Sequence, residues 1–474
     1  MHVLESTWVN TYPKPSAAHS NPLDDDTVGR SDNLKSSHLL MNRGLSKQRL
    51  TRLQQIAQNV FLHSLHHMRQ GHLQLTLPDH SILTFGSASA NLPSAEIVIQ
   101  DGAFFSKIIA FGHIGFGEAY VEGLWDTPDL EAVIQWALLN VNTSPLLEGS
   151  RNKAWYLNFL GGVNRLMHRL QENSLSGSRK NIRAHYDLSN AFFSRMLDPT
   201  MMYSSAWFEE EAASCPPAET LQAAQIKKID RLAQALHLSS DDHVLEIGSG
   251  WGGLACHVAK TYGCRITTVT ISEAQYNLAK ARIDAEGLSN RIDLQLKDYR
   301  ELSGQFDKII SVEMVEALGD QYFDLFFDQC TKLLKPDGLL GIQMITCPDA
   351  RYELLKNNVD FIQKHIFPGS LLPSISRVLQ ALGRAGDISL LSMEDFGLSY
   401  AKTLRVWNER FLAHASDYPA MGLDETFMRK WHYYLMYCAA AFQMRNISVV
   451  QAIFTRPNNL RLNQKASGKK AMAA

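Results

Sequence analysis

The chain has 474 residues, enough for two or three domains, and its 45% hydrophobic and 20% charged composition is that of a globular protein. A formal net charge of −2 argues against general nucleic-acid binding, which favours a basic domain. The six cysteines form no CxxC pair, so neither a disulfide frame nor a metal site is expected. No apolar run reaches the roughly 18 residues of a membrane span and no secretory h-region is visible near the start, so any membrane contact is expected to be peripheral.

Residues 1–35 carry Pro13, Pro15, Pro22 and three consecutive aspartates among many Ser and Asn, and read as a disordered lead. From Leu45 to Met68 the apolar positions Leu45, Leu53, Ile56, Val60 and Leu65 recur near helical spacing, with Lys47, Arg49, Arg52 and Arg69 among them. This is the pattern of a basic amphipathic helix lying on an anionic lipid surface, or of an ordinary half-buried helix. Leu73, Leu75 and Leu77 alternate with polar residues, turn at Pro78–His80 and return over Ile82–Phe85, which predicts a hairpin; AEIVIQ (95–100) predicts a further strand. Phe104–Leu139 reads as mainly helical, broken by Gly112, Gly115, Gly117 and Pro128. Residues 36–175 are thus expected to form an α+β N-terminal domain with a linker helix, ending near the Gly/Ser-rich SLSGSR (174–179).

Residues 176–460 read as a second domain and 461–474 as a flexible tail. After a helix over Gln222–Leu238, the apolar run Val244–Ile247 meets Gly248, Gly250, Gly252 and Gly253, and a helix-compatible stretch follows at once. Strand, glycine turn and helix open a doubly wound α/β fold. Strands are expected at Arg265–Thr270, Ile292–Leu296, Phe306–Val312 and Leu339–Ile345, with helices at Glu273–Ala285 and Tyr322–Leu334 between them. Such alternation predicts a mainly parallel sheet, whose ligands bind beyond the carboxyl ends of the strands. That rule gathers Gly248–Gly252, Thr270–Gln275, Asp298, Tyr299, Glu316 and Gln343–Ile345 on one rim. The remainder, Cys347–Asn458, reads as mostly helical and aromatic, suited to capping an apolar tunnel or to packing a large core.

Gly248, Gly250 and Gly253 also satisfy GxGxxG, and Glu273 lies where a dinucleotide fingerprint expects an acid, which keeps a nicotinamide-dependent oxidoreductase in view. Glu246, an acid inside the strand before the glycines, points instead to S-adenosylmethionine (SAM).

Taken in order, HYDLSN (185–190), LDPTMMYSSAWF (197–208), EIGSGWGG (246–253), TISEAQ (270–275), FIQKHIFPGSLLPS (361–374) and FGLSYAKTLRVWNERF (396–411) resemble the cyclopropane-fatty-acyl-phospholipid synthase family, over about Leu39–Pro457. The resemblance is nearest to the branch shared with plant cyclopropane synthases. It implies a Rossmann-like class I SAM methyltransferase domain beside a mainly helical α+β N-terminal domain. It also implies SAM contacts at Tyr203, Ser204, Glu246, Gly248, Gly250, Gly252, Thr270, Gln275, Asp298 and Tyr299. A bicarbonate ion that serves as the base is implied at Ser205, Glu316, Gln343, the backbone of Ile345, and Tyr400. The common bacterial pattern has cysteine where Ser205 stands and histidine where Gln343 stands.

Members of that family transfer the SAM methyl to a cis double bond of a phospholipid acyl chain, and proton loss then closes a cyclopropane ring. Water would trap the intermediate carbocation, so an apolar aromatic pocket is expected, with Phe192, Phe193, Tyr203, Trp207 and Phe208 as candidate walls. Glu316 is the first candidate to hold or assist the base, and Glu313 is its nearest rival. The substrate implies a cytoplasmic enzyme at the inner face of a membrane, docked through the N-terminal domain, and a homodimer is compatible with the sequence. A C-methyltransferase giving methyl-branched or methylene chains, and a non-catalytic SAM- or lipid-binding homologue, remain open readings.

Overall fold

A computed structural model describes residues 49–141, 189–209 and 218–462. The expected disordered lead, the linker near 174–179 and the tail from 463 lie outside the described residues.

Helix α1 (Arg52–Leu65) begins at Thr51, whose hydroxyl accepts from the Gln54 N–H while the Gln54 side chain accepts from the Thr51 N–H, a reciprocal capping box. Strands β1 (His72–Thr76) and β2 (Ile82–Gly86) form the expected hairpin. Strand β3 (Ser94–Ile99) joins β1 in parallel, and the short β4 (Trp125–Asp126) closes a sheet of order β2-β1-β3-β4. Helices α2 (Ala103–Val121) and α3 (Leu130–Leu139) flank β4 in the chain. Of the three glycines expected to break α2, only Gly112 leaves helical geometry, at φ 58°. Gly117 serves a different purpose: a Cβ there would lie 2.6 Å from the Phe361 ring and 2.8 Å from the Tyr433 ring, so its bareness lets those rings pack.

The second sheet follows α4 (Asn190–Met196) and α5 (Ala218–Ala235). Its elements run β5 (His243–Ile247), α6 (Gly253–Tyr262), β6 (Arg265–Thr270), α7 (Glu273–Ala285), β7 (Ile292–Leu296), β8 (Phe306–Val312), α8 (Asp320–Leu333) and β9 (Leu334–Thr346). Then come α9 (Asp349–Asn357), α10 (Phe361–His365), α11 (Ile375–Ala385), β10 (Ser389–Asp395), α12 (Gly397–Ala413), α13 (Glu425–Gln443) and β11 (Ser448–Thr455). The order is β10-β11-β9-β8-β5-β6-β7; the five strands from β9 to β7 pair in parallel, as the βα alternation predicts, and β11 and β10 extend the sheet antiparallel. These last two strands correct the mostly helical reading of Cys347–Asn458. The run SVVQAIFT (448–455), nearly all buried, is a central-strand pattern that the neighbouring aromatic helices obscured. Strand β9 also starts earlier than Leu339, running through Pro336–Gly338 with a register shift against β8 between Phe306 and Lys308. No helix among the described residues is long and apolar enough to cross a membrane.

The small sheet shares with α4, α12 and α13 a hydrophobic core that runs from Phe61 and Leu73 through Phe192 and Trp251 to Trp407 and Trp431, while most buried residues of the large sheet pack in two further clusters. Arg429 on α13 pins the two parts together. It is 3% exposed; its Nε donates to the Tyr120 carbonyl at 2.7 Å, one Nη to the Trp125 carbonyl at 3.1 Å, and the other meets Asp126 Oδ2 at 3.3 Å. Burial raises the Asp126 pKa, and the guanidinium draws it partly back. Removing one partner of a buried pair strands the other, at a cost of about 3–5 kcal/mol. Arg429→Ala is therefore expected to lower unfolding stability by about that amount, and adding Asp126→Asn to recover part of it, as read by denaturant titration.

Candidate active site

Strand β5 lies between β6 and β8, and its apolar residues are buried because both faces of a parallel sheet are covered. Beyond its carboxyl end the chain turns through Gly248 (φ 99°), Gly250 (φ 49°) and Gly252 (φ 83°), a left-handed backbone that side chains disfavour. At Gly253 the constraint is contact, since a Cβ there would stand 2.3 Å from the Thr200 carbonyl oxygen. Arg282 on α7 holds that loop over the turn, donating to the carbonyls of Thr200 at 2.7 Å and Pro199 at 2.9 Å. Asn190, the last residue of HYDLSN, accepts from the Trp251 indole N–H at 2.8 Å. The LDPTMMYSS segment is thereby laid across the glycine turn.

Between them lies a cavity of about 480 Å³. Tyr203, Ser204, Glu246, Gly248, Gly250, Thr270, Gln275, Asp298 and Tyr299 all line it. Gly252 does not; it caps α6. Glu246 is buried, accepts from the Thr268 hydroxyl at 2.5 Å, and has its pKa pushed up to about 7 by burial. Thr270 Oγ1 donates to Gln275 Oε1 at 2.9 Å, and Asp298 accepts from Arg300 at 2.7 and 2.8 Å. Glu273, the acid on which the nicotinamide reading rests, opens α7 and is not part of the lining.

The expected aromatic wall needs correction. Of its five residues only Tyr203 lines the cavity. Phe192 and Phe193 are fully buried in the core, and Trp207 stacks on Phe396 at 4.3 Å with the Arg231 guanidinium 3.9 Å over its face. Phe208 is held away through its backbone, which donates to Ser399 Oγ. The walls come instead from Trp251, Phe367, Tyr400, Tyr434 and Phe442. Tyr434, Cys438, Ala441 and Phe442 recur at one-face helical spacing on α13, a signal the sequence carried but did not distinguish from core. The Tyr203 and Tyr434 hydroxyls meet at 2.8 Å and tie α13 to the rim.

Two carboxylates follow β8. Glu313 Oε1 accepts from the Ser205 N–H at 2.9 Å and from Gln343 Nε2 at 2.8 Å, and Glu313 Oε2 accepts from the Tyr400 hydroxyl at 2.6 Å. Gln451 on β11, paired with Gln343 in register, donates to Gln343 Oε1 at 3.1 Å and so fixes which end of that amide faces Glu313. Glu316 Oε1 takes the Ile345 N–H, and its Oε2 has no partner among the described residues. Burial and then the charge of Glu313 push the Glu316 pKa up to about 8, so near neutrality Glu316 holds its proton. Burial also raises Glu313, but its hydrogen bonds and the nearby Lys228 ammonium oppose that. Lys228 is itself buried, its pKa lowered to about 8, with Nζ donating to Ser204 Oγ at 2.7 Å. The five residues expected to hold bicarbonate thus converge, yet the Ser205 N–H, the Gln343 amide and the Tyr400 hydroxyl are taken by Glu313, the Ile345 N–H by Glu316 and the Ser205 hydroxyl by the Ala206 carbonyl. Ser205 and Gln343 stand behind Glu313 rather than on the cavity wall. A further anion does not fit this arrangement, since it would have to displace or adjoin a buried carboxylate.

Residues 173–452 match the family model described as mycolic acid cyclopropane synthetase. The chain is 37% identical to the tuberculostearic acid methyltransferase UfaA1 of Mycobacterium tuberculosis, over 80% of this chain and 87% of that protein. It is 34% identical to the cyclopropane-fatty-acyl-phospholipid synthase of Escherichia coli K12, over 78% of this chain and 90% of that one. Among solved structures it resembles the mycolic acid cyclopropane synthase CmaA1 complexed with SAH and CTAB, with a TM-score of 0.53 and 29% identity, covering 59% of this chain and 98% of that one. The chain is a SAM-dependent methyltransferase with the class I fold.

The carboxylate pair sets a pH dependence of stability. A carboxyl whose folded pKa is raised binds more protons folded than unfolded, so stability falls as pH rises from its ordinary value of 4.5 to about 8. Glu316→Gln is expected to flatten the decline in unfolding free energy across that window. An unchanged slope in denaturant titrations at stepped pH would show that Glu316 does not carry it.

Proposed function

We propose that this chain, which belongs to the mycolic acid cyclopropane synthetase family, transfers the methyl of SAM to a cis double bond of a phospholipid-bound acyl chain and closes a cyclopropane ring. The observation that carries the reading is the cavity itself: the rim residues expected to hold SAM open directly into an aromatic, largely apolar chamber with a buried acid pair in its wall. In this reading Gly248 and Gly250 let SAM approach bare backbone. Asp298 and Tyr299, just beyond β7, and Tyr203 and Ser204, on the segment laid across the glycine turn, would also hold it. Glu246, Thr270 and Gln275 complete the cofactor wall. Placing the sulfonium methyl against the alkene is the main source of rate, since a plain alkene is a weak nucleophile. Trp251, Tyr203, Tyr434 and Phe442 exclude water and face the developing cation. Bicarbonate is assigned no step, because its expected donors are engaged.

The acyl chain enters from a membrane. Arg49 and Arg52 are exposed, and on α1 the apolar Leu53, Ile56 and Val60, at helical spacing, are 77%, 60% and 46% exposed. An apolar stripe beside arginines suits a peripheral contact with anionic lipid. The likeness to a tuberculostearic acid methyltransferase favours, as a second reading, a methylene or methyl-branched unsaturated product, which differs only in which proton leaves the cation.

Incubation with SAM and vesicles of a cis-monounsaturated phospholipid is expected to add one CH2 to the acyl chain, read by mass spectrometry. Loss of reducibility by mild hydrogenation marks the ring; a CH2 gain with a reducible double bond marks the second reading. Arg49→Glu with Arg52→Glu, or Leu53→Ser with Ile56→Ser, is expected to weaken sedimentation with anionic vesicles while leaving SAM affinity unchanged. Undiminished sedimentation of both variants would remove α1 from the docking surface.

A further inference from the structure

We propose that the side chain of Glu313 is the enzyme's own proton acceptor, a covalently attached carboxylate in the position where the family resemblance expects a bicarbonate ion. The inference rests on the proposed methyl transfer and names the base for it.

Four observations lead there. Glu313 gathers the Ser205 N–H, the Gln343 amide and the Tyr400 hydroxyl, three donors that together suit one carboxylate. It faces the cavity, beside the wall residues that would hold the acyl chain. Its backbone is left-handed, φ 49°, a conformation that residues with side chains rarely adopt and that concentrates at functional sites. Finally, burial raises its pKa, but its three hydrogen bonds and the Lys228 charge all favour its charged form. Glu316 holds its proton near neutrality, Tyr400 is held protonated by burial and by the Glu313 charge, and Lys228 donates to Ser204. Asp360, another carboxylate of the lining, accepts from the Gln363 N–H as the cap of α10.

The step balances as follows. The alkene pair attacks the methyl; the S–CH3 bond breaks with its electrons staying on sulfur, leaving neutral S-adenosylhomocysteine and a cation on the other alkene carbon. Glu313 takes a proton from the new methyl, and the electrons of that C–H bond form the second bond of the ring. Glu313 is then a neutral acid that returns its proton to solvent when the product leaves, so one proton is released per turnover. The Tyr400, Gln343 and Ser205 donors keep the carboxylate aimed throughout.

The test uses the full chain, SAM and monounsaturated phospholipid vesicles, and reads the CH2-gained product. Buffer stripped of carbon dioxide and buffer with added bicarbonate are expected to give wild-type rates within about twofold of each other. Glu313→Gln is expected to lose about a hundredfold or more in turnover with SAM binding retained. Glu313→Gly suits the left-handed backbone, so it guards against a folding defect; it is expected to be slow in stripped buffer and to recover on adding bicarbonate or formate. Strong bicarbonate stimulation of the wild type, or near-wild-type turnover of either variant in stripped buffer, overturns the assignment. A wild type that binds SAM but yields no CH2-gained product under any buffer overturns the proposed reaction instead, and the base with it.

Discussion

The Glu313 carboxylate and its ring of donors is the interaction on which the rest of the site depends. A buried charge is tolerated only when hydrogen-bonded and balanced. Here the balance draws on four separated parts of the chain: the segment at Ser205, strand β9 at Gln343, helix α12 at Tyr400 and helix α5 at Lys228. Strand β11 joins them indirectly, because Gln451 fixes the Gln343 amide and also holds the Lys228 carbonyl at 3.0 Å. The antiparallel extension of the sheet therefore supports the carboxylate site as well as the core. Burial first, and then the charge of Glu313, disfavours ionisation of the neighbouring Glu316.

The N-terminal sheet and its helices contribute to the same site at one remove. Helix α13 presents Tyr434 and Phe442 to the cavity on one side and Trp431, Tyr433 and Arg429 to the core or the N-terminal elements on the other. Gly117 on α2 admits Phe361 and Tyr433, and Glu118 beside it accepts from Lys364 and His365 on α10. The part proposed to meet the membrane is thus packed against the helices that wall the cavity.

Much of this was legible in the sequence because it is local. Period-two alternation gave β1 and β2, βα alternation gave the parallel strands in their order, and the glycine cluster placed the rim; nine of the ten expected cofactor positions line one cavity. What was not legible depends on which way a side chain turns once the chain is folded. Phe192 and Phe193 on α4, and Trp207 on the 198–208 segment, are as aromatic as Tyr203, yet of the four only Tyr203 lines the cavity. Strand β11 was hidden because a continuous apolar run does not separate strand from helix by period. Glu313 and Glu316, three residues apart after the same strand, could be ranked only by their partners.

Those partners also give a common account of the two departures from the usual family pattern. Ser205 engages Glu313 through its backbone N–H while its hydroxyl turns to the Ala206 carbonyl at 3.0 Å, so the position requires a small residue rather than a reactive one. Gln343 gives Glu313 a neutral donor with no proton of its own to exchange near neutrality. A histidine there could protonate and share its proton with the carboxylate, weakening the base it is meant to hold. With a fixed carboxylate at 313, serine and glutamine are the residues that leave it both aimed and basic. An ion drawn from solution must instead be bound anew before it can act, whereas a tethered base is already positioned in every molecule.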